Sequence, residues 1–207
     1  MWGISNDLCP ICHILEREVF DRLRASLNRW KTEEPERQPL IEAGGFCETH
    51  AAAILHTASP PGVAAFVQTL ADSAARAIEA ESAEERHAVW WKPKCPLCQF
   101  RQEREAALLS RFRDTLADPA VREEYARGLG LCLPHLDQIQ EGCEDPVLLG
   151  FLRETTAAQL RRWAEACRSY IEKHEANSRD EMTLVERRAW IALTEKLAGH
   201  REDIRLS

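Results

Sequence analysis

Four short motifs carry the residues of this chain that could bind a metal. Cys9-Pro10-Ile11-Cys12 and Cys95-Pro96-Leu97-Cys98 each hold two thiols separated by two residues. Cys47-Glu48-Thr49-His50 and Cys132-Leu133-Pro134-His135 each hold a thiol and an imidazole at the same separation. Two such thiolates reach one ion from a single backbone turn, and a Cys and a His three apart on the first turn of a helix point the same way. Three sulfurs and one nitrogen make a tetrahedral donor set that suits zinc. Each Cys-Pro-x-Cys is followed about 35 residues later by a Cys-x-x-His. The spacing therefore predicts one site from Cys9, Cys12, Cys47 and His50, and a second from Cys95, Cys98, Cys132 and His135. Protein fills all four positions of each, as in structural sites, whereas catalytic zinc keeps one position open for water. Two zinc ions per chain are the expected cofactors. Iron, including an iron–sulfur cluster, could use the same thiols.

Other chemistries fit part of the pattern. Cys9-Pro10-Ile11-Cys12-His13 satisfies the Cys-x-x-Cys-His pattern of c-type haem, but Gln99 stands at the matching position of the second copy. His13 then reads as a helix surface residue or a hydrogen-bonding support for a ligand. A thioredoxin-type redox pair belongs beside a βαβ pattern, absent here, and would leave Cys47, His50, Cys132 and His135 unused. Cys167, four residues after Trp163, reads as a buried structural thiol, and Cys143 as a turn residue beside Gly142. His56, His87 and His200 are isolated and read as surface residues.

The elements that must position these ligands are helices. Ile14, Leu15, Val19, Phe20, Leu23, Leu27 and Trp30 recur at steps of three and four after the first Cys-Pro-x-Cys. Residues 31–39, with two prolines and several charges, read as an exposed connection. A short helix through Leu40 ends at Gly44-Gly45, where the backbone must turn left-handed. Another runs through Ala51 to Leu55. A long one follows Pro60-Pro61-Gly62, with Val63, Phe66, Val67, Leu70, Ala74, Ala77 and Ile78 on one face and a charged extension over 79–87. Trp90-Trp91-Lys92-Pro93 closes that segment.

The second half repeats this plan. Cys47 and Cys132, His50 and His135, Pro61 and Pro146, Phe66 and Phe151, and Gly45 and Gly130 are each 85 residues apart, and the two Cys-Pro-x-Cys turns are 86 apart. One constant offset through ligands, glycine, proline and an aromatic indicates an internal duplication. Asp118-Pro119 caps a short helix in the second copy, and Val147, Leu148, Phe151, Leu152, Leu160, Trp163, Tyr170 and Ile171 line its long one. His174, Glu175, Arg179, Asp180 and Glu181 read as a solvated linker, or as the rim of a small-molecule pocket. Thr183-Leu184-Val185-Glu186 is a capping box, Ala189, Trp190, Leu193 and Leu197 make the apolar face of a last helix, and Gly199 stops it. No stretch alternates with period two. The expected architecture is all-α: two pseudo-symmetric helical repeats, 7–90 and 93–174, each clamped by a Cys3His site, and a C-terminal linker and helix over 175–207.

The bulk composition narrows the function. With 44% hydrophobic and 29% charged residues the chain has a globular balance. No apolar run approaches the roughly 20 residues of a membrane span, and the start of the sequence lacks the basic and apolar regions of a secretory signal. The cytoplasm is the expected compartment, and its reduced thiols favour metal ligation over disulfides. The formal charge of −7 becomes about −9 with two filled Cys3His sites, against nonspecific nucleic-acid binding.

The duplicated Cys-Pro-x-Cys and Gly-x-Cys-x-x-His motifs resemble a group of prokaryotic helical proteins that share a domain of unknown function. The resemblance covers nearly the whole chain and implies the helical metal-binding fold without any activity or catalytic residue. The expectation is a non-enzymatic scaffold with two structural zinc sites and an unidentified protein partner. Its rivals are a metalloenzyme or ligand-binding protein with a pocket between the repeats, and a thiol redox sensor.

Overall fold

The computed structural model describes residues 8–32, 38–57, 59–79, 95–176 and 181–199, with the backbone alone at 28, 30–32, 57, 65 and 66. Every regular element among these residues is helical and none is a strand, as the sequence periodicity indicates. The nine α-helices among the described residues are α1 (Pro10–Thr32), α2 (Gln38–Glu42), α3 (Glu48–Thr57), α4 (Pro60–Glu79), α5 (Pro96–Thr115), α6 (Pro119–Arg127), α7 (Leu133–Glu141), α8 (Pro146–Glu175) and α9 (Leu184–Ala198). Most of the expected charged extension, the Trp90-Trp91 pair, His87, His200, Arg179 and Asp180 lie outside the described residues.

Local chemistry sets the helix ends. Asp118 caps α6 by accepting from Ala120 N at 2.8 Å, with Pro119 in the first turn. Asp145 caps α8 by accepting from Val147 N and Leu148 N. Thr183 and Glu186 form the full reciprocal box at the start of α9. Behind α2, Gly44 N donates to Ile41 O at 3.0 Å and Gly45 N to Leu40 O at 2.9 Å, a Schellman closure. Both glycines have positive φ, 73° and 103°. Pro39 falls in the first turn of α2, where its missing N–H costs nothing.

The chain divides into two compact units at points other than the sequence repeats suggest. One takes the described residues up to Leu15 and those from Glu105 onward, and the other is Glu16–Arg104. The boundaries fall inside α1 and α5, so each unit receives the N-terminal part of one of these helices and the later part of the other.

In the first unit the core gathers Ile11, Leu15, Phe112, Leu116, Tyr125, Leu129, Leu131 and Leu152, all fully buried. The buried stripe of α8 is Leu148, Leu152, Thr156, Gln159 and Trp163, at helical spacing. Val147 and Ile171, expected on that stripe, are exposed. His174 and Glu175 belong to the last turn of α8, so the expected linker begins later. Helix α9 runs back along α8, where Lys173 meets Glu186 and Gln159 meets Lys196. Its buried face is Ala189, Ala192 and Lys196, while Trp190 and Leu197 of the expected face point outward. Ala189 and Ala192 pack beside Trp163 of α8, with Leu193 of the expected face partly buried against the same cluster. Cys167 packs at the edge of this cluster and is only partly buried.

The core of the second unit joins Leu23, Leu27, Leu40, Ile54, Cys95 and Leu97, with Phe46, Cys47, Ala53, Val63 and Leu70 packed against it. Phe20, expected on the α1 stripe, is 40% exposed. Helices α1 and α5 are tied by Glu16 with Arg101 and by Glu18 with Arg104, the latter a bidentate pair at 2.7 and 2.8 Å.

Candidate metal centres

All eight predicted thiols and imidazoles come together in fours, with the pairing exchanged. Cys9 and Cys12 meet Cys132 and His135 in the first unit, and Cys95 and Cys98 meet Cys47 and His50 in the second. The expectation that Cys9 and Cys12 join Cys47 and His50, and Cys95 and Cys98 join Cys132 and His135, is therefore corrected: each Cys-Pro-x-Cys turn meets the other Cys-x-x-His. Helix α1 runs for 20 residues past Cys12, and α5 for 17 past Cys98, so each Cys-Pro-x-Cys turn is separated by a long helix from the Cys-x-x-His turn that follows it in the chain.

In all four motifs the first cysteine immediately precedes a helix and the second ligand lies in its first turn: Cys9 before α1, Cys47 before α3, Cys95 before α5 and Cys132 before α7. Free N–H groups and the helix dipole there favour thiolates. Two glycines shape the approaches. Gly45 and Gly130, each two residues before the cysteine, both have positive φ, 103° and 72°. A methyl on Gly130 would also fall 2.4 Å from Gln159 Oε1.

The two donor sets have nearly the same geometry. His135 Nδ1 lies 3.1 Å from Cys132 Sγ and 3.4 Å from both Cys9 and Cys12 Sγ. His50 Nδ1 lies 3.1 Å from Cys47 Sγ and 3.4 Å from both Cys95 and Cys98 Sγ. Among the sulfur pairs, Cys12 and Cys132 lie 3.8 Å apart and Cys47 and Cys98 lie 3.5 Å apart. Around a tetrahedral zinc with Zn–S of about 2.3 Å and Zn–N of about 2.0 Å, the edges are about 3.8 Å for S···S and 3.5 Å for S···N. The observed edges fall close to these.

The ionisation of the first set is what such crowding produces. Burial opposes the Cys9 thiolate, but hydrogen bonds from Cys12, Cys132 and His135 outweigh it and hold Cys9 well below the ordinary thiol range. Cys12 is driven up by its bonds to Cys132 and Cys9. His135 is raised to about 11: burial works against its charge, and Cys132, Cys9 and Glu105 more than compensate. In the second set burial and the Cys47 contact push Cys98 up to about 12. Three thiolates at this spacing ionise together only around a cation.

The surroundings of the two centres differ. In the first, all four ligands are buried. His135 Nε2 pairs with Glu105 Oε1 at 2.7 Å, which fixes the ring with Nδ1 toward the sulfurs. The approach to Cys132 is held at several points. Leu131 N donates to Tyr125 Oη, Gln159 Nε2 donates to Tyr125 O, and Arg162 donates to Arg127 O and Gly128 O. Lys196 of α9, fully buried, donates to Leu129 O at 2.6 Å and Gln159 Oε1 at 2.9 Å. Burial lowers its pKa to about 8, against the pull of negative charge on Cys9 and Cys132. It remains largely a cation at neutral pH. In the second centre His50 and Cys95 are buried, Cys47 is half-buried and Cys98 is exposed. The α1 position 86 residues before Glu105 is Val19, an apolar core residue.

Spacing alone does not reveal Glu105, Gln159 or Lys196. The signal for Lys196 is a lysine in register with Ala189 and Ala192 on the docking face of α9. His13 is exposed, in keeping with a surface role, and His56 is exposed as well. Cys143 lies in the turn before α8, apart from both clusters. Compared with family models, with characterised proteins and with solved structures, the chain matches none, so the resemblance to a duplicated-repeat family has no family model behind it.

Proposed function

We propose that this chain is a zinc-binding helical scaffold with two structural Cys3His centres, each closing one unit by joining a Cys-Pro-x-Cys turn to a distant Cys-x-x-His turn. The observation that carries the reading is the pair of matched donor sets, whose edges fit one tetrahedral ion. The same edges argue against a multinuclear iron–sulfur cluster, whose irons would hold the thiolates further apart. Protein supplies four donors in each centre, which favours a structural over a catalytic role. A protein partner and a regulatory role fit the outward-facing Leu184, Trp190 and Leu197 of α9, which are 72%, 55% and 51% exposed. Among the described residues no helix is long and apolar enough to cross a membrane. A reducing compartment such as the cytoplasm suits eight free cysteines.

Elemental analysis of protein purified without added metal tests the reading. Two zinc ions per chain are expected; fewer than about one, or iron in their place, overturns it. The crossed pairing is tested in the same assay. His135→Ala is expected to remove the ion that Cys9→Ala removes, so the double variant keeps one ion, where repeat-wise pairing leaves none.

A further inference from the structure

We infer that the second centre is also a site of oxidative modification: a hydroperoxide converts Cys98 and Cys47 to a disulfide and releases that ion, while the first centre keeps its own. The inference rests on the metal reading above. Its basis is one geometric contrast between otherwise matched centres. Cys98 is exposed and its sulfur lies 3.5 Å from Cys47 Sγ, itself half-buried. Cys9, Cys12 and Cys132 are 1%, 1% and 0% exposed. The second centre therefore presents a solvent-exposed cysteine among its ligands, and the first presents none.

The chemistry balances. Coordination keeps both sulfurs as thiolates. The Cys98 thiolate attacks one peroxide oxygen, the O–O bond breaks, and the other oxygen leaves with a proton as water, or as an alcohol from an organic hydroperoxide. Cys98 is then a sulfenic acid. The Cys47 thiolate attacks that sulfur, the S–O bond breaks, hydroxide leaves and takes a second proton, and the S–S bond forms. The two sulfurs give up two electrons and the peroxide accepts them. Zinc changes no oxidation state. The closing step brings the sulfurs from 3.5 Å to about 2.0 Å, a movement of roughly 1.5 Å within one turn on each helix. His50 and Cys95 remain as the only donors, and two ligands do not retain the ion.

The test uses the full zinc-loaded chain, hydrogen peroxide as oxidant, a zinc-sensitive dye and peptide mapping of disulfides. The expected result is loss of one zinc per chain at least about tenfold faster than the other, with a Cys47–Cys98 bridge forming at the same rate. Release of both ions together, release of neither, or a first bridge between other cysteines overturns the inference. Cys98→His preserves four donors without the attacking thiol, and its fast phase should disappear; a surviving fast phase is equally fatal. Wild-type kinetics and mapping decide the matter whether or not that variant loads. A chain without zinc before peroxide is added defeats the metal reading instead, and the dye shows this at time zero.

Discussion

The two centres present the same four donors with the same nitrogen-to-sulfur distances, yet they are set in unlike surroundings. The first lies under buried side chains, has Glu105 behind its histidine and Lys196 among the contacts that hold its approach, and has α9 against it. The second forms part of the core through Cys95 and Cys47 but opens to solvent at Cys98. Ligand identity fixes what can bind. The surroundings fix how tightly it is held and how fast it exchanges, because outer partners and solvent access tune affinity. The buried centre carries a net charge of −1 when filled with zinc, since three thiolates outweigh two positive charges, and Lys196 offsets it within the same unit. For an ion bound at both centres, the comparison predicts slower exchange from the buried one.

Removing one histidine from each centre strains this comparison most. His135→Ala is expected to lose an ion and the partner of Glu105 together. An ion held at a thousand times its Kd contributes about 4 kcal/mol to stability, and the lost His135–Glu105 hydrogen bond adds to the loss. His50→Ala should cost less, by about 1.4 kcal/mol for each tenfold by which the open centre binds more weakly. Urea unfolding of both variants at one fixed free zinc concentration measures the difference. Equal losses, or a larger loss for His50→Ala, would break the comparison.

Lys196→Met separates the centres through a residue that touches no ion. The change keeps the length of the side chain but leaves Leu129 O and Gln159 Oε1 buried without their donor. Stranded acceptors of this kind cost about 3 kcal/mol together. Loss of the nearby positive charge should weaken zinc in the first centre by about tenfold and leave the second unchanged. Titration against a competing chelator resolves the two affinities. A matched weakening of both centres would show that Lys196 acts through general stability alone.

Much of this was legible in the sequence because it is local. The helical periods, the caps at Asp118 and Thr183, the Gly44-Gly45 turn and the four ligand motifs depend on residues within a few positions of one another. The partnership of the motifs does not. Cys12 meets Cys132 across 120 residues, where Cys47 lies only 35 away. Loop-closure entropy favours the nearer partner by only about 1 kcal/mol, which the direction of one long helix easily overrides. The face of α9 was hidden for a different reason. Trp190 and Leu197 carry the strongest apolar signal, but they face outward, while Ala189 and Ala192 are buried against Trp163 and Lys196 goes in with them. A buried lysine is found by its acceptors, and those belong to Leu129 and Gln159, far away in sequence.

The smallest expected effect concerns α9, which packs against α7 and α8 of the first unit. Glu186 accepts from Lys173 Nζ at 2.8 and 2.9 Å, from Ser169 Oγ and from Thr183 N. The lysine contributes most, and together they lower the Glu186 pKa from 4.5 to about 2. A carboxylate whose folded pKa lies below its unfolded value adds stability that is complete above about pH 4.5 and fades as pH falls toward 2. Glu186→Gln retains a side-chain acceptor for the Thr183 amide and removes the charge. At pH 7 it should lower Tm by about 2 °C, and that difference should vanish near pH 2. Acid also strips zinc, but it does so in both proteins, so the difference between them isolates the carboxylate. Helix α9 ends at Gly199, where an added methyl would lie 3.7 Å from Cys132 Sγ. Loosening its start should therefore raise zinc exchange from the first centre slightly and leave the second at its wild-type rate, as isotope exchange would read. A faster second centre would mean that α9 steadies the whole chain, and that the contrast between the centres owes less to α9 than to Glu105 and burial.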